Sequence, residues 1–189
     1  PAETGVETLA KAVLAITSQP FPLRFDGPAA DMLRTLAPAA AFPVRMAVAN
    51  EWLFGPLLVR QIAATPAGAA TLHTTIAPTM LRGSPKENVL PQDAAAWINY
   101  RIAPGQTSDD VLARARAATR GLAVDLQWER PPSEPPPVSS TDSRGWQWVA
   151  AAAAAGGWPV APGLVTATTD SRHMTAVGRD IYRFQPVVA

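Results

Sequence analysis

Three side chains have the chemistry to donate hydrogen bonds to a carbonyl or a carboxylate: those of Asn88, Arg101 and Arg172. Asn88 precedes Val-Leu-Pro in a polar turn, and Arg101 lies on the polar side of an alternating segment. Arg172 follows Thr169, which begins a short predicted helix whose free N–H groups favour an anion. Each residue also has an ordinary structural interpretation, as a turn amide, a solvated strand residue or a solvated residue after a helix cap. The pattern alone leaves both interpretations open.

No residue pattern in the chain indicates a metal site, because His73 and His173 are the only histidines and cysteine is absent. A catalytic zinc needs about three protein ligands from His, Asp, Glu and Cys, and no His-x-x-x-His or His-Glu-x-x-His spacing occurs. We interpret both histidines as structural, His73 on a strand and His173 in a first helical turn. The chain therefore offers donors that can bind a substrate, but no nucleophile, general base or metal-ligand set.

The composition is that of a folded globular protein without an attraction for a charged partner. The 189 residues are 48% hydrophobic and 16% charged, and the net charge is +1. Because lysine and arginine are scattered, we do not expect nucleic-acid binding. No apolar run reaches the length of a membrane span, so no membrane partner is expected. The chain opens without an initiator methionine or a signal sequence and is interpreted as a segment of a longer protein, which leaves its compartment undetermined.

Residues 4–16 are predicted to form the first helix, because Thr4 and Glu7 have capping-box spacing and apolar residues follow at helical intervals. Prolines then break residues 18–63 into a helical insertion of short pieces. The pieces expected to be helical are 31–36, 50–54 with Asn50 as its cap, and 56–62. The insertion carries a dense apolar cluster that we expect to pack at the edge of the core rather than to bind a partner. Its members are Trp52, Leu53, Phe54, Leu57 and Leu58.

Two strands, a helix and a third strand are predicted next. The first strand begins with the β-branched residues 74–76, and residues 96–102 alternate between apolar and polar sides. A helix capped within residues 107–110 and closed by Gly121 follows, and residues 122–128 alternate as a further strand. This order is that of a βαββαβ split motif without its first strand. We therefore predict an α+β fold, with a ferredoxin-like domain of antiparallel sheet and two helices over residues 1–130.

A Pro-rich connector at residues 131–140 marks a domain boundary. Beyond it, residues 141–189 have a different sequence pattern from the first domain. Thr141 and Asp142 are expected to cap a helix whose inner face includes Trp146 and Val149 and which stops at Gly156. A short helix is then expected from Thr169, and a strand at residues 180–184.

Four stretches of the chain resemble, in the same order, a known family of di-zinc metallopeptidases. The family includes carboxypeptidase S, aminoacylase, glutamate carboxypeptidase and N-acyl amino acid synthase/hydrolases, and the carboxypeptidase S branch is the one that the chain resembles most. The stretches are PAET at 1–4, NEWLF at 50–54, LHTTIAPTMLRGSPKENVLPQDAAAWINYRIAPGQT at 72–107 and TTDSRHMTAVGRDIYRFQP at 168–186. Ordered matches along nearly the whole chain are more specific than a single short motif.

The resemblance implies that residues 1–130 are the ferredoxin-like lid, or dimerisation domain, of such an enzyme, and that residues 141–189 are the last part of its α/β zinc-binding catalytic domain. In relatives, the residue matching Asn88 polarises the scissile carbonyl or holds substrate, and the one matching Arg101 lines the same pocket. Arg172 and Thr169 match the motif that binds the substrate's free carboxylate. The two zinc ions, their ligands and the general-base Glu belong to parts of the family outside this segment, and lids pair into homodimers.

We therefore expect a fragment of a zinc-dependent carboxypeptidase or N-acyl amino acid hydrolase. The parent enzyme would hydrolyse a peptide or N-acyl amide bond next to a free carboxylate. The segment alone, which supplies substrate-binding and dimerisation residues, is expected to be inactive because the zinc ligands are outside it. The alternative is a non-catalytic ferredoxin-like or ACT-like module that dimerises or binds a small ligand. A His-x-Asp pair and a Glu-Glu pair upstream would distinguish the enzyme from the module.

Overall fold

The computed structural model of the chain describes residues 3–157, 159–167 and 169–184. The chain divides into two compact units. The first comprises the residues up to Pro22 together with His73–Pro135, and the second comprises Leu23–Leu72 together with the residues from Pro136 onward. The ends of two matched stretches, at 1–2 and 185–186, and residue 168 lie outside the described residues. No described helix combines the length and apolar character needed to cross a bilayer.

The first unit begins with helix α1, Gly5–Thr17, which confirms the predicted first helix. Its N-terminus is closed by a capping box, in which the Thr4 hydroxyl accepts from the Glu7 N–H and the Glu7 carboxylate accepts from the Thr4 N–H. Two donors that the helix cannot satisfy internally are thereby paired. Ala12 and Ile16 are buried on its inner face.

A two-stranded antiparallel hairpin follows, formed by β1, Thr75–Arg82, and β2, Ala95–Arg101. Ile76 lies opposite Tyr100 and Pro78 opposite Ile98, and these pairs share one face of the hairpin. The register then shifts between Pro78 and Met80, so that Thr79 forms a bulge. The strands and helices together confirm the predicted α+β class.

Helix α6, Ser108–Ala118, lies later in the same unit and packs with α1. A second capping box, between Thr107 and Asp110, closes its N-terminus. Its Val111 and Ala115 are buried, and they surround a small cavity together with Ile16 of α1 and with Ile76 and Tyr100 of the hairpin. The inner face of the hairpin, α1 and α6 therefore share one apolar core.

Polar contacts fix the ends of these elements. The hydroxyl of Thr74, which is fully buried, donates to the Gln106 side chain and accepts from the Ala103 N–H at 2.8 Å, joining the start of β1 to the loop after β2. The Arg114 guanidinium donates to the carbonyls of Gln19 and Pro20 and lies 4.9 Å from the Phe21 ring centroid. The end of α1 is thereby held against α6.

The strand predicted at residues 122–128 is absent, which corrects the sequence expectation. Burial still alternates there, with Leu122, Val124, Leu126 and Trp128 half-buried. A strand is defined by main-chain hydrogen bonds to a neighbour, and no described strand pairs with residues 122–128. The segment therefore keeps the side-chain pattern of a strand without its ladder.

The Pro-rich connector is attached to the first unit by one carboxylate. Both oxygens of Glu134 accept from the Ser108 N–H, at 3.0 and 3.3 Å, and one also accepts from the Ser108 hydroxyl. A negative charge is favourable at this N-terminal end of α6. The contact lies next to Pro135, where the first unit ends.

The second unit contains the helical insertion as four α-helices. They are α2, Gly27–Leu36; α3, Phe42–Ala49; α4, Glu51–Ala63; and α5, Pro66–Leu72. A 3-10 turn, Ala37–Ala39, follows α2. The insertion thus extends to Leu72, beyond the predicted end at residue 63. Two bonds from the Arg34 guanidinium to Glu51 join α2 to α4, and they hold the pKa of Glu51 below its ordinary value.

Two expectations for α4 were wrong. The pieces predicted at 50–54 and 56–62 are one helix with Pro56 inside it, and the Asn50 side chain donates back to the Met46 carbonyl instead of capping α4. The apolar cluster does not pack as a unit. Trp52 is 82% exposed, and Leu53 and Leu57 are also exposed, whereas Phe54 and Leu58 are half-buried. Phe54 and Leu58 are four residues apart and therefore lie on the same side of α4, which is the partly covered side. Leu53 and Leu57, which are also four residues apart, lie on an adjacent side that faces outward.

The C-terminal part of the second unit contains α7, Arg144–Ala154, and a 3-10 helix, Asp170–Ala176. Ser143, rather than Thr141 or Asp142, caps α7 by accepting from the Trp146 N–H. The strand predicted at 180–184 is absent, because no described strand pairs with these residues. Instead, the Ser139 hydroxyl bonds the N–H and the carbonyl of Ile181, and Tyr182 bonds Ser143 and the Ser140 carbonyl.

Candidate functional site

Asn88 lies in the twelve-residue loop that joins β1 to β2, and its side chain is exposed. Within the described residues, no hydrogen bond engages its amide. The loop is braced at its base, where the Arg82 guanidinium pairs with Asp93 at 2.7 Å and lies 6.0 Å from the Trp97 ring centroid. Ser84 adds bonds to the N–H and the carbonyl of Lys86. Asn88 is thus an available donor on a supported loop.

Arg101 is the last residue of β2, opposite Thr75, and is exposed. It shares the outer face of the hairpin with Asn99 and Trp97, because side chains alternate along a strand. The bulge at Thr79 brings Met80 opposite Trp97, and therefore onto this same face. Asn99 and Arg101 make the outer face the more polar one, as its alternation predicts, although Met80 and Trp97 also lie on it.

The structure places Asn88 and Arg101 at opposite ends of the hairpin. The loop leads into β2 at Ala95, and the six steps from Ala95 to Arg101 span about 20 Å of strand. The expectation that both line one pocket stays a prediction. Arg172 belongs to the second unit, whereas Asn88 and Arg101 belong to the first.

Thr169 and Arg172 lie at the start of the 3-10 helix, and both are exposed. The Thr169 hydroxyl does not cap the helix but shares a hydrogen bond with the Ser171 hydroxyl at 2.5 Å. Arg172 donates its backbone N–H to the Thr169 carbonyl at 3.1 Å and its Nε to Nε2 of His173 at 3.0 Å. The terminal guanidinium nitrogens of Arg172 form no ion pair with a described carboxylate and can bind one.

His73 lies just before β1, not on a strand as predicted. Its Nδ1 is buried and has no hydrogen-bond partner among the described residues. Burial lowers the pKa of His73 below its ordinary value, because the charged imidazole loses solvation, while a backbone bond involving Thr74 partly opposes this shift. The interpretation of His73 as a structural residue stays a prediction.

No group of three or more His, Asp or Glu side chains among the described residues could hold a metal ion. The two histidines are each isolated from such a set. The residues present therefore do not fit a zinc site, and a metal required by the resemblance would need ligands from elsewhere in a longer protein.

Sequence reasoning missed one residue of the C-terminal group, Arg183. Its Nε donates to the Ser171 hydroxyl at 2.5 Å, across twelve positions of sequence. The available signal was a charged residue between Tyr182 and Phe184 in a segment read as a strand. Its proximity to Ser171 depends on the path of the chain between them, which local pattern does not specify.

Comparison with known proteins agrees with this architecture. The peptidase dimerisation domain family matches residues 6–125. The chain is 36% identical over 192 residues to N-fatty-acyl-amino acid synthase/hydrolase PM20D1 of Xenopus tropicalis, with 100% of the chain covered. It is 34% identical over 196 residues to the protein of that name in Homo sapiens, with 99% covered. Probable carboxypeptidase S-like 2 of Dictyostelium discoideum is 32% identical over 151 residues, or 78% of the chain. No solved structure matches significantly.

These relatives are longer than the chain, which spans 37%, 38% and 29% of their lengths, respectively. The family match includes most of α1, the whole hairpin and α6, and therefore the helices and strands of the first unit. Peptidases of this family are generally metal-dependent. The family match and the relatives agree in placing the chain: it belongs to the M20 family of peptidases and contains the dimerisation domain of that family.

Proposed function

We propose that the protein to which this chain belongs hydrolyses the amide bond of an N-acyl amino acid. The observation that carries the proposal is the similarity of 32–36% over at least 78% of the chain to proteins named N-fatty-acyl-amino acid synthase/hydrolase and carboxypeptidase S-like. Both names describe a substrate with an amide bond near a free carboxylate. Because the relatives with higher identity carry the first name, we propose a long-chain acyl group.

The residues of this chain bind and polarise the substrate. Water adds to the amide carbonyl, and the C–N bond breaks to release a carboxylate and a free amino acid. The exposed amide of Asn88 donates to the oxygen on which charge develops, a contact that contributes on the order of 3 kcal/mol when preorganised. Arg172 binds the free carboxylate through its terminal nitrogens, supported by Thr169, and Arg101 binds a more distant part of the substrate.

The two proposed zinc ions would be bound by ligands outside the described residues, because no group of described His, Asp or Glu side chains could hold a metal ion. Bound zinc would supply an activated water. The chain alone is accordingly proposed to be inactive. Its own contribution is limited to substrate donors and to dimerisation.

A homodimer through the first unit is part of the proposal. The matched domain is a dimerisation domain, and symmetric pairing is the common solution for such modules. The placement of Asn88 and Arg101 at opposite ends of the hairpin adds a reason. In a dimer, one substrate can receive each residue from a different subunit.

The proposal is tested with Asn88→Ala in the full-length protein, using N-dodecanoyl-leucine as substrate. We expect kcat to fall about 100-fold, because one oxyanion donor is lost. Zinc content, measured by atomic emission, should not change. Gln92→Ala is the matched control, because Gln92 is an exposed amide in the same loop. It should keep the wild-type rate.

Two results would contradict the proposal. A wild-type protein loaded with zinc that does not cleave N-dodecanoyl-leucine or a dipeptide removes the proposed activity. A wild-type protein that cleaves its substrate while Asn88→Ala turns over equally fast removes the role of Asn88 and leaves the activity standing.

A further inference from the structure

Arg183 is a half-buried guanidinium whose only recorded hydrogen bond within the described residues is to the Ser171 hydroxyl. That hydroxyl also bonds the Thr169 hydroxyl. Arg183, Ser171 and Thr169 are therefore connected by two successive side-chain hydrogen bonds, which end at the start of the 3-10 helix. Ser171 is the residue directly before Arg172.

Both the N–H and the carbonyl of Arg172 form hydrogen bonds within the 3-10 helix and its cap. Its N–H donates to the Thr169 carbonyl at 3.1 Å, and its carbonyl accepts from the Thr175 hydroxyl at 2.9 Å. Those bonds are local. The bond from Arg183 is different, because it ties the turn to a residue twelve positions later. It limits the movement of the turn as a whole, which local bonds do not.

The charge of Arg183 has no ion-pair partner among the described residues. No described carboxylate forms an ion pair with Arg183 or with Arg172. The nearby Asp180 instead accepts from the Ser140 N–H at 2.7 Å. Arg172 and Arg183 are therefore two guanidinium groups without an ion pair to a described carboxylate, and a guanidinium is suited to binding an incoming carboxylate.

We propose that Arg183 is a positioning residue for the substrate carboxylate, acting through Ser171 on Arg172; this inference rests on the proposed function. Arg183 fixes the turn that presents Arg172, and its charge adds to the attraction for the carboxylate. Its effect is confined to substrates that carry that carboxylate.

The test compares two substrates in the zinc-loaded full-length protein: N-dodecanoyl-leucine and N-dodecanoyl-isoamylamine, which lacks only the carboxylate. We expect Arg183→Met to raise KM for the first about tenfold with little change in kcat, as for the loss of a bond to a charged group. Its kcat/KM for the second should be unchanged. A purely structural role would instead lower activity on both substrates.

Further variants keep the test decisive if Arg183→Met folds poorly. Ser171→Ala removes the link with a small change and should raise KM for N-dodecanoyl-leucine by a similar factor. The double variant should be little worse than either single one, because both break the same path. Arg183→Lys keeps the charge without the planar donor and should recover part of the loss. Arg179→Met is the matched control, since Arg179 is exposed and forms no recorded contact with a described residue, and it should retain the wild-type KM.

The inference is overturned if Arg183→Met and Ser171→Ala leave KM unchanged, if they affect both substrates equally, or if their effects are additive. In those cases a wild-type enzyme active on N-dodecanoyl-leucine still supports the proposed function. A wild-type enzyme inactive on both substrates overturns the proposed function and this inference together.

Discussion

At the scale of single residues, His73 couples the first unit to pH. Its Nδ1 is buried without a partner among the described residues, so a proton added there would be a buried donor without an acceptor among them. Its pKa is lowered in the folded protein by burial. The unfolded chain then binds more protons than the folded one below about pH 6.5. Stability therefore decreases as the pH falls from 6.5 toward the folded-state pKa.

We predict that His73→Phe, which keeps a ring but does not titrate, reduces this dependence. The decrease in melting temperature of the full-length protein between about pH 7.5 and about pH 5.5 should be smaller in the variant than in the wild type. Differential scanning calorimetry at both pH values measures it. Equal decreases in the two proteins would show that His73 does not contribute.

The candidate residues differ in how far sequence alone could specify them. Asn88 and Arg172 sit in recognisable local motifs, and the structure leaves both exposed as donors. The separation of Asn88 from Arg101 could have been foreseen, because it follows from counting residues along a strand. The contact of Arg183 with Ser171 could not, because it depends on the tertiary path of the chain.

At the scale of elements, local rules worked where the determinants were local. Both capping boxes join residues three apart, and α1 and α6 begin where these sequences place them. Elements that depend on a distant partner were less predictable. Residues 122–128 have the alternation of a strand but no neighbouring ladder, and α4 continues through Pro56 although proline usually interrupts a helix.

The contact between Glu134 and Ser108 gives a prediction at this scale. Glu134→Ala should remove an acceptor from the N-terminus of α6 and reduce local stability by about 1 kcal/mol, as for a lost cap. Hydrogen exchange of the full-length protein should then be several-fold faster at residues 108–110. Glu129→Ala, which removes an exposed carboxylate just before the connector, is the control and should exchange as the wild type does. Unchanged protection in Glu134→Ala would contradict a role for this contact.

At the scale of the whole molecule, the division into two units places the helical insertion with the residues from Pro136 onward, not with the first unit. The sequence analysis places residues 1–130 in one domain, because its helix and strand patterns follow one another along the chain without a linker. Which of these elements pack together depends on contacts between residues far apart in sequence, and local patterns do not specify those contacts. The division falls after Pro135, and the predicted domain bounds stay a prediction.

We predict that the full-length protein is a homodimer. Sedimentation equilibrium should give twice the chain mass over a range of protein concentrations, because dimerisation domains of this family match residues 6–125. A mass equal to one chain at the highest concentration would contradict the proposed pairing. The same measurement on Asn88→Ala should give the wild-type mass, since its loop amide is proposed to act on substrate.

The anchoring of the connector by Glu134 has a mechanical consequence. Ser139 is held by Ile181, so the stretch between the two anchors is Pro135, Pro136, Pro137 and Val138. Consecutive prolines fix their own φ angles and keep the preceding residues extended. This stretch is therefore confined to extended backbone conformations, and it has little chain entropy to lose on folding. Glycine residues inserted here would widen the range of backbone conformations open to the unfolded chain and raise the entropy lost on folding.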